Sequence, residues 1–224
     1  MRGIFFDPYI MKKNLIVILG PTASGKTAMA ARLAAEFGGE IISADSRQVY
    51  RGMDIGTGKD LEEFRIDGRV IPCHLIDILD PDQEFNVFEF QKRFYEIFSA
   101  LREKKVLPLL VGGTGLYLES VLTRYVLPEA EPDERIREEL AGLTMGELQE
   151  MLLAMKPQLH NQTDLHDRER LVRKIEIEKA RQNPSKSQTR FPQIQAGIFG
   201  IFWERAELRK RISARLHIRL AEGM

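Results

Sequence analysis

The sequence predicts an α/β fold: a P-loop doubly wound parallel sheet with an α-helical insertion domain. Three observations point there. Continuous apolar runs at 14–19, 40–44 and 106–111 end abruptly at glycine or aspartate, the pattern of strands buried on both faces. Helix-forming stretches separate these runs, and strand–helix alternation favours parallel strands joined by right-handed crossovers. Between the first run and the first helix lies Gly20-Pro-Thr-Ala-Ser-Gly-Lys-Thr27, a full match to G-x-x-x-x-G-K-[ST].

Taken in order, Asn14–Leu19 is the first strand, and Thr27–Phe37, rich in Ala and Leu, is a helix stopped by Gly38-Gly39. Glu40–Ala44 is a second strand ending at Asp45, and His74–Leu79 is a third, closed by Asp80-Pro81. Asn86 is placed to cap a helix running to Lys105, with Phe90, Phe94, Ile97 and Leu101 on one face. Val106–Val111 is the next strand, and Gly112-Gly113-Thr114-Gly115 turns it into a helix through Leu122. Beyond Leu127 the texture changes. Pro128–Asp133 is an acidic linker, and helical periodicity with no convincing strand follows to Lys179. Asn183–Pro192 is polar, Ala196–Trp203 is strand-like, and Glu207–Ala221 is a basic helix. The expected organisation is a lead-in at 1–12, disordered or mis-started before Met11, an α/β core of 13–127 plus 194–224, and a helical insertion at 128–193.

Composition narrows the function classes. With 43% hydrophobic and 29% charged residues the chain is ordinary for a globular protein, and no apolar run approaches the roughly 20 residues that cross a bilayer. The single cysteine, Cys73, has no intramolecular partner, which suits a reducing, cytoplasmic setting and a buried structural thiol. Net charge is zero overall, but residues 161–224 hold 14 Lys/Arg against 8 Asp/Glu. Such a basic third fits a polyanion surface or an ordinary solvated helix face, and charge alone does not choose between them.

Chemistry concentrates at the P-loop. Gly20 and Gly25 allow backbone N–H groups of Thr22, Ala23 and Ser24 to converge on phosphate oxygens, and the following helix adds its positive end. Lys26 supplies a cation for the outer phosphate, and Thr27 a hydroxyl for Mg²⁺. Asp45 follows the second strand, where doubly wound sheets bind ligands. It could accept a proton or hold Mg²⁺, and equally could cap the turn Ser46–Tyr50. Arg47 and Arg51 could neutralise phosphate or be solvated. Asp77 could imitate the Mg²⁺-organising aspartate of ATPases, but the strand before it is short. The Val106–Val111 run has no aspartate at all. The absence of a clear second NTPase motif argues against a motor ATPase or a GTPase and favours a transferase that grips a phosphorylated donor.

Asp45-Ser-Arg-Gln-Val-Tyr50 with Asp54-Ile-Gly-Thr57, His74-Leu-Ile-Asp-Ile-Leu-Asp-Pro81 and Gly112-Gly-Thr-Gly-Leu-Tyr117, taken with the P-loop, resemble the bacterial tRNA dimethylallyltransferase (tRNA isopentenyltransferase) family in order and spacing. Arg168–Glu176 is similar to that family's arginine-rich helix in the insertion. The resemblance runs from about residue 13 to the end, with a C-terminus shorter than is usual. It implies transfer of a dimethylallyl group from dimethylallyl diphosphate to N6 of the adenosine beside the anticodon in tRNA. On that reading the P-loop with Lys26, Thr27 and Mg²⁺ holds the donor, and Asp45 is the general base. Ser46, Arg47 and Gln48 face a flipped-out adenine, since N6 is unreachable in a stacked base. Thr114 and Arg135 match positions that touch tRNA or steady the site, and Glu169, Arg170 and Arg173 match a tRNA-contacting segment. Arg47 and Cys73 depart from the residues usual there, as do Lys174 and Ile175. The chain is expected to be monomeric, without a membrane segment. Other readings of the same residues are an adenylate isopentenyltransferase, a small-molecule P-loop kinase, and an inactive diphosphate- or RNA-binding relative.

Overall fold

The computed structural model describes residues 12–123, 133–155, 163–182 and 191–221. The expected lead-in, most of the linker at 128–133 and most of the polar stretch at 183–192 lie outside them. The chain divides into two compact units, one of Met1–Tyr125 with Phe191–Met224 and one of Val126–Arg190.

The first unit is built on five parallel strands in the order β5-β2-β6-β1-β7. These are β1 (Leu15–Leu19), β2 (Gly39–Ala44), β5 (Cys73–His74), β6 (Leu107–Gly112) and β7 (Ala196–Gly200). Along β1 the side chains alternate faces, as the two-residue period requires. Ile16 and Ile18 join Ala30, Ala31 and Ala34 of α1 (Lys26–Phe37) in one core cluster. Leu15 and Val17 join the opposite cluster with Phe90, Phe94 and Phe98 of α2 (Val87–Glu103) and Tyr117 and Val121 of α3 (Gly115–Leu122). Both faces of β1, β2 and β6 are therefore covered, and their apolar runs read as continuous, whereas the edge strand β7 exposes Ile198 and Phe199. Asn86 caps α2 as its position suggested, its side chain accepting from the Glu89 N–H at 3.0 Å.

Register sets up the site. Leu19 of β1 and Ala44 of β2 both pair with Gly112 of β6. Three strands thus end in one row, and the residues just beyond them, Gly20, Asp45 and Gly113, leave the same edge of the sheet.

The third strand is shorter than His74–Leu79. Only Cys73–His74 pairs with β2, because Leu75 (φ 63°) and Asp77 (φ 53°) adopt left-handed backbone that a strand cannot continue through. An antiparallel hairpin absent from the sequence reading joins β3 (Arg65–Ile66) to β4 (Arg69–Val70) through Asp67-Gly68. The last strand stops at Gly200, short of Trp203, and α7 (Arg205–Ala221) begins two residues before the predicted start.

The second unit is helical among its described residues: α4 (Glu134–Ala141), α5 (Met145–Met155), α6 (Arg168–Gln182) and a 3₁₀ turn at Thr163–His166. Asp133 caps α4 by accepting from the Arg135 and Ile136 amides, and Thr144 with Glu147 forms a reciprocal cap on α5. Leu140, Leu148, Leu152, Leu171 and Ile175 make its core.

Candidate functional site

The loop between β1 and α1 has the conformation that phosphate binding needs. Gly25 sits at φ 86° and Ala23 at φ 58°, so the chain curls and α1 opens at Lys26 with its first N–H groups unpaired within the helix. Gly25 does this at no steric cost, whereas Ala23 holds a less favoured left-handed conformation. Trp203 and Arg211 fix the loop from outside: the Trp203 indole donates to the Ser24 carbonyl at 3.0 Å and Arg211 Nε to the Ala23 carbonyl at 3.0 Å. The Arg211 guanidinium also stacks 4.3 Å over the Trp203 ring.

A cleft of about 310 Å³ lies beside this loop. Thr22, Lys26 and Thr27 form one wall, Asp45, Ser46, Arg47 and Gln48 another, and Gly113 and Thr114 close it. All are in the first unit. Asp45 both caps and faces the cleft. Its Oδ1 accepts from the Arg47 and Gln48 amides at 2.9 and 3.3 Å, whereas Oδ2 accepts no hydrogen bond among the described residues. The two readings left open for Asp45 are therefore compatible. Thr114 Oγ1 accepts from the Ser46 amide at 3.3 Å, tying the β6 turn to the Asp45 segment.

Gln48 is less available for an acceptor base than its position suggested. Its amide donates to the Thr57 and Gly58 carbonyls at 3.4 and 3.1 Å, so it braces its own loop. Arg51 pairs with Asp80 at 3.0 Å and Asp77 with Lys59, and neither lines the cleft, which leaves Arg51 out of the phosphate candidates and Asp77 out of the Mg²⁺ candidates.

Four functional candidates escaped the sequence reading. Glu63, in a 3₁₀ turn at Leu61–Phe64, lines a cavity with Lys26 and Thr27, and the Thr27 hydroxyl favours its carboxylate. Arg215 of α7 lines the cleft and donates to the Gly58 carbonyl and to Asp60. Trp203 and Lys59 complete the set. None had a local signal, since Glu63 and Arg215 reach the P-loop only through folding.

Burial pushes the Lys26 ammonium below its ordinary value; Asp45 opposes this, Arg215 adds to it, and Glu63 opposes it. Glu63 is raised, first by burial and then by Asp60, against the pull of Arg215, Thr27 and Lys26. A cationic and an anionic group thus face each other across the loop. Burial pushes the Cys73 thiol up to about 12, leaving it inert as a nucleophile.

A hard divalent cation fits this chemistry. The Thr27 hydroxyl, in a cavity lining shared with the Glu63 carboxylate, presents an oxygen at the mouth of the phosphate loop, and phosphate oxygens with water would complete the shell. Among the described residues there is no group of three His, Cys, Asp or Glu able to hold a metal without the ligand.

In the second unit, Arg135, Glu169 and Arg170 are exposed, as contact with a macromolecule would require. Arg170 lies 3.6 Å from Asp167, and Arg173 pairs with Glu176 at 3.0 Å. Glu176 is buried and also accepts from Arg137 at 2.8 Å, so Arg173 has a structural partner as well.

Fold and loop together define a P-loop α/β protein with an acidic residue facing its phosphate cradle. Comparison narrows the class. A family model described as IPP transferase matches residues 48–224, and one described as Isopentenyl transferase matches 13–70. The tRNA dimethylallyltransferase 1 of Syntrophus aciditrophicus is 54% identical over 215 residues, covering 96% of this chain and 70% of its own length. That of Geotalea daltonii is 55% identical over 212 residues, covering 94% and 67%. The crystal structure of the full-length tRNA isopentenylpyrophosphate transferase from Bacillus halodurans superposes with a TM-score of 0.62 at 36% identity, covering 95% of this chain and 67% of that one. The chain belongs to the IPP transferase family.

Proposed function

We propose that this chain transfers a dimethylallyl group from dimethylallyl diphosphate to N6 of the adenosine beside the anticodon in tRNA. One observation carries the reading. The P-loop cation and hydroxyl, Lys26 and Thr27, and the half-free carboxylate Asp45 line the same cleft. Family membership supplies the substrates, and the named relatives are tRNA dimethylallyltransferases.

The loop amides, Lys26 and Arg215 hold the donor diphosphate and neutralise its charge as the C–O bond lengthens. Mg²⁺, held through Thr27 with Glu63 behind it, would supply further neutralisation of the leaving group. The N6 lone pair forms the new N–C bond to the allylic carbon, and the C–O electrons leave with diphosphate. The amine proton passes to Asp45 Oδ2 and then to solvent. Because Oδ1 is anchored by two backbone amides, Oδ2 is held in a defined orientation for that transfer. Ser46, Arg47 and Thr114 face the acceptor, while Arg135, Glu169, Arg170 and Arg173 contact the tRNA. All these groups come from one chain, so the reading needs no second copy. A cytoplasmic monomer suffices.

Incubation with labelled dimethylallyl diphosphate and unmodified tRNA should label the tRNA, and Asp45→Ala or Lys26→Ala should abolish transfer. Unimpaired transfer by Asp45→Ala would remove the base. AMP labelled in preference to tRNA, or ATP bound at least as tightly as the donor, would replace the acceptor or the donor respectively.

A further inference from the structure

Among the described residues only two charged side chains are buried, Glu176 in the helical unit and Lys59 in the first unit. Lys59 follows Gly58, at the end of the loop that starts with Asp45. Its side chain is fully shielded, at 0% exposure. An ammonium has three N–H donors and no acceptor, and a buried one is costly unless all three are used. Here they are. Lys59 Nζ donates to the Tyr50 carbonyl, to Asp54 Oδ1 at 2.8 Å and to Asp77 Oδ1. Burial disfavours the charge, but the hydrogen bonds it donates to both aspartates outweigh this and hold the ammonium above its ordinary value.

The loop is thinly packed. Among its described side chains Val49 is the one buried apolar group, while Arg51, Gly52, Met53 and Asp54 are exposed. Its ties to the segment after β5 are backbone bonds, Gln48 O from the Asp77 amide, Val49 O from Ile78 and Leu79, and the Arg51 amide to Leu79 O, with the exposed Arg51 side chain donating to Asp80 and to the Ile78 carbonyl. That segment is itself in an unfavoured conformation, with Asp77 at φ 53°, which turns its carboxylate onto Lys59. Directly before Lys59, the Gly58 carbonyl accepts from Gln48 at 3.1 Å and from Arg215 at 3.2 Å. Directly after it, Asp60 pairs with Arg215 and Arg219. The backbone on either side of Lys59 is thus where the Asp45–Gln48 wall and the donor-side helix α7 are both tied.

We propose that Lys59 is a positioning residue: its buried ammonium locks residues 57–60 against Tyr50 and Asp77, and so sets the distance between the Asp45 wall and the P-loop. It touches neither substrate. Its effect on rate rests on the transfer reading above, and its effect on loop order does not. Because misplacement of about 1 Å costs on the order of 100-fold in a positioned reaction, loss of the lock should appear in turnover and spare donor binding.

The test uses the full chain with Lys59→Met, which keeps the length of the side chain and removes its donors, and Lys59→Arg, which keeps charge and donors. Asp77→Asn, which retains an acceptor, serves if Lys59→Met does not fold. Lys59→Met should lower kcat by about 10- to 100-fold with the diphosphate dissociation constant changed less than about threefold, and Lys59→Arg should recover part of the loss. Amide exchange should speed at least tenfold across Ser46–Gly58 and remain unchanged at Thr22–Thr27. Asp77→Asn should move the same amides in the same direction. Unchanged exchange at 46–58 in a folded variant, or equal losses in kcat and diphosphate affinity, would overturn the proposal. A wild-type chain without transfer activity would sink the transfer reading alone, since the exchange comparison still decides the lock.

Discussion

Gly112, in the cleft lining, is where a single methyl group should do most damage to the cleft. A Cβ built on Gly112 would lie 2.2 Å from the Ala44 carbonyl oxygen, 2.6 Å from its carbon and 2.7 Å from its Cβ. Real Cβ atoms essentially never come within 3.0 Å of another heavy atom, so β6 and β2 must part by about 0.8 Å at their carboxyl ends. The neighbour is backbone and cannot swing aside. The same Ala44 carbonyl accepts the Thr114 amide at 3.3 Å, and Asp45 is the next residue. Gly112→Ala should therefore cost about 1–3 kcal/mol of stability through overpacking, read as roughly 2–4 °C of melting temperature for each kcal/mol. It should also move Asp45 and Thr114 relative to the P-loop, lowering kcat by about 100-fold. Diphosphate affinity should hold within a few-fold, because the loop after β1 is anchored separately by Trp203 and Arg211. Gly115→Ala is the control, since a Cβ there meets nothing within 4 Å. The assays are melting, calorimetry with diphosphate, and steady-state transfer to tRNA. Wild-type kcat and melting temperature for Gly112→Ala, or equal damage from Gly115→Ala, would refute the argument.

Two further perturbations test other parts of the molecule. Glu63→Ala should weaken Mn²⁺ binding to the diphosphate complex by about 10- to 100-fold, and Glu63→Gln, which keeps an oxygen acceptor, by less; equal losses, seen by paramagnetic resonance, would show that charge and not orientation matters. In the helical unit, burial disfavours the Glu176 carboxylate, but bonds from Arg137, Arg173 and the Asp133 amide hold it below the usual glutamate range. A depressed folded value means stability that is complete above about pH 4.3 and lost as pH falls through the lower folded value. Glu176→Gln should remove about 1–3 kcal/mol, because both arginines can turn to water, and should flatten that acid limb. Amide exchange within 133–182 as a function of pH measures both, and an unchanged acid limb would contradict the assignment.

The parts legible in the sequence are those with a local cause. The β1, β2 and β6 strands show as apolar runs because both sheet faces are covered, and α1 and α2 show their ends through Gly38 and Asn86. The P-loop and Asp45 were found because each follows a strand end. The hairpin at Arg65–Val70 had a local signal, Asp67-Gly68, and was passed over; both residues take positive φ, as a two-residue turn demands. The shortness of β5 had none. The strand ends where Leu75 takes φ 63°, and Asp77, at φ 53°, turns its carboxylate onto Lys59, 18 residues earlier. Glu63 lies 36 positions from Thr27, and Arg215 reaches Gly58 across 157. No periodicity carries such information, since it depends on how the sheet closes.

The absence of a clear second NTPase motif and the missed Glu63 have one cause. An ATPase places its metal-organising acid at the end of a neighbouring strand; Asp77 follows too short a strand and Val106–Val111 carries no aspartate, so neither supplies that acid. Here β6 ends in glycines, because Gly112 must pass within van der Waals reach of Ala44, so no side chain can occupy that place. The acid beside Thr27 comes instead from the 3₁₀ turn that carries Glu63, on the segment that Lys59 pins. The strand-end position is thereby left to backbone, which brings the Asp45 segment after β2 close enough to Thr114 to be joined through the Ser46 amide. A site arranged this way has its carboxylate available for a proton and its cation support outside the sheet, the division of labour that diphosphate departure with amine deprotonation requires.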